Sequence, residues 1–189
     1  MGNKSTQLLQ EEEIEDIRKE TGFSRNQIVR LYSRFTNLDK SGSGALEREE
    51  FLKIPELAIN PLVERIIHAF LHEGDGEHVN FRQFIRVLAR FRPISKNKPN
   101  PYNNKEEKIR FAFNLYDLDR DDKISKEELI AILQMMVGEN ITPEQISSIA
   151  NRTLAEVDTD HNNYITYQEF SEALEKIDVE QKMSIRFLG

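Results

Sequence analysis

The sequence predicts an all-α protein built as two lobes, each holding two helix-loop-helix units whose loops pair through short strands. Three observations carry that prediction. One pattern recurs four times along the 189 residues: an amphipathic stretch, a polar loop with a single apolar residue inside it, and a second amphipathic stretch. The interior apolar residues are Leu46, Val79, Ile124 and Ile165. Helical spacing flanks the third loop, with Ile109, Phe113 and Tyr116 before it and Leu129, Ile130, Leu133 and Val137 after it. Between the halves, "RPISKNKPNPYNNK", Arg92 to Lys105, is rich in Pro, Asn and Lys and has neither period.

Taken in order, residues 1–22 form an N-terminal arm, because "MGNKST" fits the N-myristoylation pattern, with Gly2 exposed once Met1 is removed and Thr6 at the sixth position. A single myristoyl chain binds a bilayer only marginally, and the neighbouring Glu11, Glu12 and Glu13 are no polybasic patch. The second anchoring signal must then come from a partner, or the lipid must lie within the fold. Residues 23–91 make the N-terminal lobe and 92–105 a flexible or partner-ordered linker. Residues 106–177 make the C-terminal lobe. There Ile146, Ile149, Leu154 and Val157 precede the fourth loop and Phe170, Leu174 and Ile177 follow it. "NITPEQ" supplies Thr142 as an N-cap with Pro143 at the first helical position. In the tail, 178–189, Val179, Met183, Phe187 and Leu188 fall on one apolar helical side that suits packing on the C-terminal lobe.

Composition narrows the function classes. A net charge of −7 with 31% charged residues disfavours a nucleic-acid backbone as partner and suits cations or basic peptides. Without Cys there is neither a disulfide framework nor a thiolate metal site, and a reducing cytosol is the expected home. No apolar run reaches the roughly 18 residues of a spanning helix, and the polar start is unlike a secretory signal. His68, His72, His78 and His161 have no spacing that converges on zinc.

The loops read as cation sites. Calcium takes roughly six to eight oxygens, which a helix-loop-helix loop of the EF-hand kind supplies from positions 1, 3, 5, 7, 9 and 12. In "DLDRDDKISKEE", Asp117, Asp119 and Asp121 stand at the first three of these. Lys123 offers its carbonyl, Ser125 works through water, and Glu128 closes the loop. In "DTDHNNYITYQE" the set is Asp158, Asp160, Asn162, the Tyr164 carbonyl, Thr166 through water, and Glu169. The sixth position normally needs Gly for a left-handed turn; Asp122 and Asn163 stand there, residues that tolerate it at some cost. "DKSGSGALEREE" keeps Asp39, Gly44 and Glu50 but has Ser41 and Ser43, so its affinity should fall even if Glu47 contributes. "HEGDGEHVNFRQ" has lost its ligands and serves to hold its partner loop through Val79. Two calcium ions, in the third and fourth loops, are therefore expected. At dissociation constants near about 10⁻⁷ M such sites act as sensors, and at lower values as permanent structural sites. Met135 and Met136 read as helix core.

Several stretches together resemble one family: "ETGFS", "RLYSRFT", "IPELAINPL", "VNFRQF", "FAFNLYDLD", "MMVG" and "DVEQKMSIRFL". The chain resembles the calcineurin B homologous proteins from Gly2 to Leu188, and shares its "PEL" and "FAF" stretches with calcineurin B itself. The resemblance implies myristoylation at Gly2 and calcium at Asp117, Asp119, Asp121, Lys123 and Glu128 and at Asp158, Asp160, Asn162, Tyr164 and Glu169. It also implies a role as the regulatory subunit of a plasma-membrane Na+/H+ exchanger, engaging a juxtamembrane amphipathic helix and supporting the exchanger's activity and surface stability. A peripheral place at the plasma membrane follows, with nuclear shuttling through "LIAILQMMV", although a helix core explains those residues equally. The alternative is a regulator or inhibitor of the calcineurin phosphatase through its catalytic subunit, and a second alternative is a calcium buffer. No nucleophile-base pair or phosphate-cradling loop points to an enzyme.

Overall fold

The structure is a computed structural model that describes residues 9–94 and 100–175. The expected lipid site at Gly2 and the apolar tail 178–189 lie outside the described residues. The fold is all-α, as the repeat predicts, with one two-stranded antiparallel sheet per lobe.

The first unit is α2 (Arg25–Leu38), β1 (Ala45–Leu46) and α3 (Arg48–Phe51); the second is α5 (Val63–Glu73), β2 (Val79–Asn80) and α6 (Phe81–Ala89). The third is α7 (Lys105–Tyr116), β3 (Lys123–Ser125) and α8 (Lys126–Val137), and the fourth α9 (Pro143–Val157), β4 (Tyr164–Thr166) and α10 (Tyr167–Glu175). The apolar residue inside each loop sets the register: Leu46 faces Val79, and Ile124 faces Ile165. All four are buried, so each strand pair closes its lobe from within. Helix starts are fixed by reciprocal capping boxes, Ser24 with Gln27, Asn80 with Gln83, Ser125 with Glu128 and Thr142 with Gln145.

Two helices beyond the eight expected are present. Within the arm, α1 (Glu11–Thr21) buries Ile14 and Ile17 in the N-terminal core, so these residues belong to the lobe. The exit helix of the first unit is also cut short, and α4 (Pro55–Ala58) follows it. The cause is local: a residue before proline is pushed out of the helical region, and Ile54 sits at φ −81° and ψ 110°.

The described ends of the linker are tied down. Arg92 donates to the Thr21 carbonyl at 2.8 Å, and Asn100 donates to the Glu20 carbonyl at 2.7 Å. Gly22 permits the first contact: its φ is 71°, and a Cβ there would meet the Arg92 guanidinium at 2.6 Å. Beyond the linker, α7 serves both lobes. Phe111 is buried in the N-terminal cluster, with Leu115 and Tyr102 packed beside it, whereas Phe113 and Tyr116 join the C-terminal cluster. Lys108 of α7 is fully buried and donates to the carbonyls of Arg90 and Arg92, the latter at 2.7 Å. These carbonyls follow the last turn of α6, where no intrahelical donor remains.

Candidate metal centre

The third loop brings one oxygen each from Asp117, Asp119 and Glu128 within 4.8 Å of one another, and the fourth does the same with Asp158, Asp160 and Glu169. Among the described residues these are the groups of three or more His, Cys, Asp or Glu able to hold a metal ion, and none contains a histidine. Asp121 lies outside its group and accepts from the Lys123 N–H at 3.0 Å; Asn162 likewise accepts from the Tyr164 N–H at 2.9 Å. Lys123 and Tyr164 open the paired strands β3 and β4.

Both loops are folded by their own ligands. The first aspartate accepts from the N–H groups of the fifth and sixth residues: Asp117 from Asp121 and Asp122 at 3.2 and 3.1 Å, Asp158 from Asn162 and Asn163 at 3.2 and 2.8 Å. The closing glutamate spans the loop. Glu128 accepts from the Leu118 N–H at 2.7 Å with one oxygen and from the Ser125 N–H and hydroxyl at 2.7 and 2.9 Å with the other. Glu169 repeats this with Thr159 and Thr166. Each glutamate therefore caps its exit helix and closes the loop at once.

Electrostatics favour a cation. Asp117 and Glu128 are 3% and 8% exposed, so two like charges are confined away from water. Burial raises the Asp117 carboxyl, the Glu128 charge adds to the rise, and backbone donors only partly offset it. Burial also opposes ionisation of Glu169, but the N–H and hydroxyl donors of Thr166 and Thr159 win and hold it down at about 2. The all-oxygen donor set, lacking sulfur and imidazole, suits a hard divalent ion such as calcium. The residues fit that ion.

Four left-handed residues shape these loops: Arg120 and Asp122 at φ 63° and 62°, His161 and Asn163 at 58° and 69°. Strain at Asp122 and Asn163 is expected from sequence; that at the fourth position is not. The first loop answers both needs with glycine, Gly42 and Gly44 at φ 71° and 83°. Its Asp39 accepts from the Ser43 and Gly44 N–H groups at 3.0 and 2.7 Å, and Glu50 accepts from the Lys40 N–H at 2.8 Å. The first loop thus keeps the shape of a cation loop with two hydroxyls in place of carboxylates. The second loop closes on itself, with Asp75 accepting from the Glu77 and His78 N–H groups at 2.9 and 2.6 Å.

Sequence reading missed three contributors. Thr159 braces Glu169, and Arg65 reaches the third loop from the other lobe. Arg110 pairs with the Asp122 carboxylate at 3.7 Å while its guanidinium lies 3.4 Å from the Tyr167 ring centre, bridging the third loop to α10. The polar residue at the second loop position is a signal for Thr159; the arginines, distant in sequence, leave none. Met135 and Met136 correct another expectation: they are 41% and 49% exposed, because α8 buries Leu129 and Ile132 instead.

A family profile described as an EF-hand domain pair matches residues 106–184. The calcineurin B protein of Naegleria gruberi is 43% identical over 182 residues, covering 96% of this chain and 98% of that protein. The type 2 calcineurin B protein of Dictyostelium discoideum is 40% identical over 97% of this chain and 96% of its own. The calcineurin B protein of Schizosaccharomyces pombe is 38% identical over 98% of both. None of these names mentions an ion exchanger.

Proposed function

The chain belongs to the calcineurin B-like family of EF-hand proteins, and from that premise we propose that it is a non-catalytic, calcium-binding regulatory subunit whose partner is the catalytic subunit of a calcineurin-type phosphatase. The observation that carries this reading is the 43% identity to a calcineurin B protein along 96% of the chain and 98% of that relative. That identity favours a calcineurin catalytic subunit over the exchanger helix that the short motifs suggest first.

Asp117, Asp119, Asp121, Glu128 and the Lys123 carbonyl would hold one ion, and Asp158, Asp160, Asn162, Glu169 and the Tyr164 carbonyl a second. Bound calcium supplies positive charge that cancels carboxylate repulsion and ties each loop's ends together. The chain's own residues do the rest. Glu128 and Glu169 cap α8 and α10, and the Ile124–Ile165 pair lies in the strand ladder that sets the two loops side by side. On the outside, α8 and α9 leave Met135, Met136 and Ile149 exposed, which suits the apolar face of an amphipathic partner helix.

A second reading, the juxtamembrane helix of a Na+/H+ exchanger as partner, is favoured by the serines of the first loop and the lost ligands of the second. A lipid on Gly2, a peripheral place at the plasma membrane and shuttling to the nucleus belong to that reading. One experiment separates the two. The purified chain is mixed with a calcineurin catalytic subunit or with an exchanger's membrane-proximal helix, with calcium or with chelator. Calcium-dependent restoration of phosphatase activity is the expected result; binding to the exchanger helix alone would transfer the assignment to the second reading.

A further inference from the structure

The helix α5 belongs to the second helix-loop-helix unit, yet its side chains reach the third. Arg65 donates from Nε to the Leu115 carbonyl at 3.1 Å, and from Nη2 to the carbonyls of Asn114 at 3.1 Å and Asp117 at 3.2 Å. Asn114 and Leu115 lie in the last turn of α7, where carbonyls have no intrahelical donor and the helix dipole presents its negative end. Asp117 is the first residue of the third loop. A planar fork holds its several carbonyls in one rigid geometry, which a point-like ammonium on a flexible stem does not.

One helical turn along the same face of α5, His68 Nδ1 lies 3.2 Å from the Arg120 guanidinium, at the fourth loop position. Leu115 meanwhile packs against the N-terminal core. The third loop is therefore held from the N-terminal lobe at its entry and again in its middle. The fourth loop is different: among the described residues, the side-chain hydrogen bonds of its 158–166 stretch stay within Asp158–Glu169.

We propose that Arg65 is a positioning residue that couples the N-terminal lobe to the cation site of the third loop and leaves the fourth loop outside that coupling. This inference rests on the reading of the third loop as a cation site. The Asp117 backbone fixes where its carboxylate starts, and the Asp121 and Asp122 N–H groups aim that carboxylate. With Arg65 in place the entry to the loop is ordered before an ion arrives. Without it, the ion must order the end of α7 itself, and affinity falls by the cost of that ordering. Linkage runs both ways: an ion in the third loop must steady α5 by the same factor.

The test uses the full chain and calcium titrations in two backgrounds. Glu169→Gln leaves the third loop as the competent site, and Glu128→Gln leaves the fourth. Arg65→Met keeps the apolar stem and removes the fork; Arg65→Lys returns one charged donor. In the Glu169→Gln background Arg65→Met should weaken calcium binding about tenfold, and Arg65→Lys about threefold. In the Glu128→Gln background both should stay within about twofold of their parent. Amide exchange gives a second readout: calcium should slow exchange across α5 in the Glu169→Gln protein with Arg65 intact, and Arg65→Met should abolish that slowing.

Equal weakening in both backgrounds would reduce Arg65 to a general stabiliser and overturn the proposal. So would unchanged third-loop affinity, or α5 exchange indifferent to calcium, and each of these leaves the cation reading intact. A Glu169→Gln parent that takes up no calcium would remove the cation reading and the proposal together. If Arg65→Met does not fold, the Lys variant and the exchange measurement on the parent decide.

Discussion

At single positions, the two loops with carboxylates at positions 1, 3 and 12 are the ones that carry non-glycine residues in left-handed turns. Arg120, Asp122, His161 and Asn163 all sit at positive φ, whereas the first loop meets the same turns with Gly42 and Gly44. Asn tolerates that region because its short polar side chain bonds locally; a β-branched residue does not. Replacing Asn163 by Val should cost about 1–2 kcal/mol in urea denaturation of the metal-free protein. Asn163→Gly should change stability by less than about 1 kcal/mol, since relief of strain is set against a floppier unfolded chain. Equal costs for Val and Gly would show that the side chain, not the turn, matters there. The carboxylates at positions 1, 3 and 12 were legible because their spacing alone brings them together. The left-handed Arg120 and His161 were not, because nothing in an Arg or a His announces such a turn.

Helices and strands tell a similar story. The repeat revealed the four units, their capping boxes and the residues Ile124 and Ile165 that set register, since each is a local pattern of a few residues. It missed α1: the lipidation motif at Gly2 made residues 1–22 read as one arm, although Ile14 and Ile17 anchor α1 in the N-terminal core. It also missed the double allegiance of α7. A helical period shows that a face is apolar, and α7 has two such faces pointing at different neighbours, which no period assigns. Lys108 shares the face of Phe111 and Leu115 and sets its ammonium on the Arg90 and Arg92 carbonyls just past α6. Lys108→Met keeps the stem and removes the donor, leaving buried carbonyls unmet. A loss of about 1–3 kcal/mol, read as a lower urea midpoint, is expected. A midpoint at or above that of the parent would show that water reaches those carbonyls.

Across the whole molecule, charge holds distant parts of the chain together. Glu20 at the end of α1 accepts from Arg82 at 2.9 Å and from Arg86, and Tyr102 within the linker donates to it at 3.3 Å. Burial opposes its charge, but the two guanidiniums prevail and lower its pKa below the usual 4.5. A lowered folded-state value means the carboxylate favours folding above the unfolded value, and this contribution fades as the pH falls below about 4.5. Denaturation at pH 7 and at pH 3 should therefore show a wide gap between the parent and Glu20→Gln at neutrality that narrows in acid. A gap independent of pH would mean that shape rather than charge holds α1 in place.

The sharing of α7 also limits how the chain can be divided. A fragment beginning at Asn100 would carry the third and fourth loops complete, but Phe111 and Leu115 would meet only water, as would Phe91 and its neighbours on the severed half. Such fragments should self-associate on a sizing column at micromolar concentration and return to a single 1:1 species when mixed. The seam on α7 ties the two lobes together, and splitting it trades buried apolar contact for two sticky surfaces.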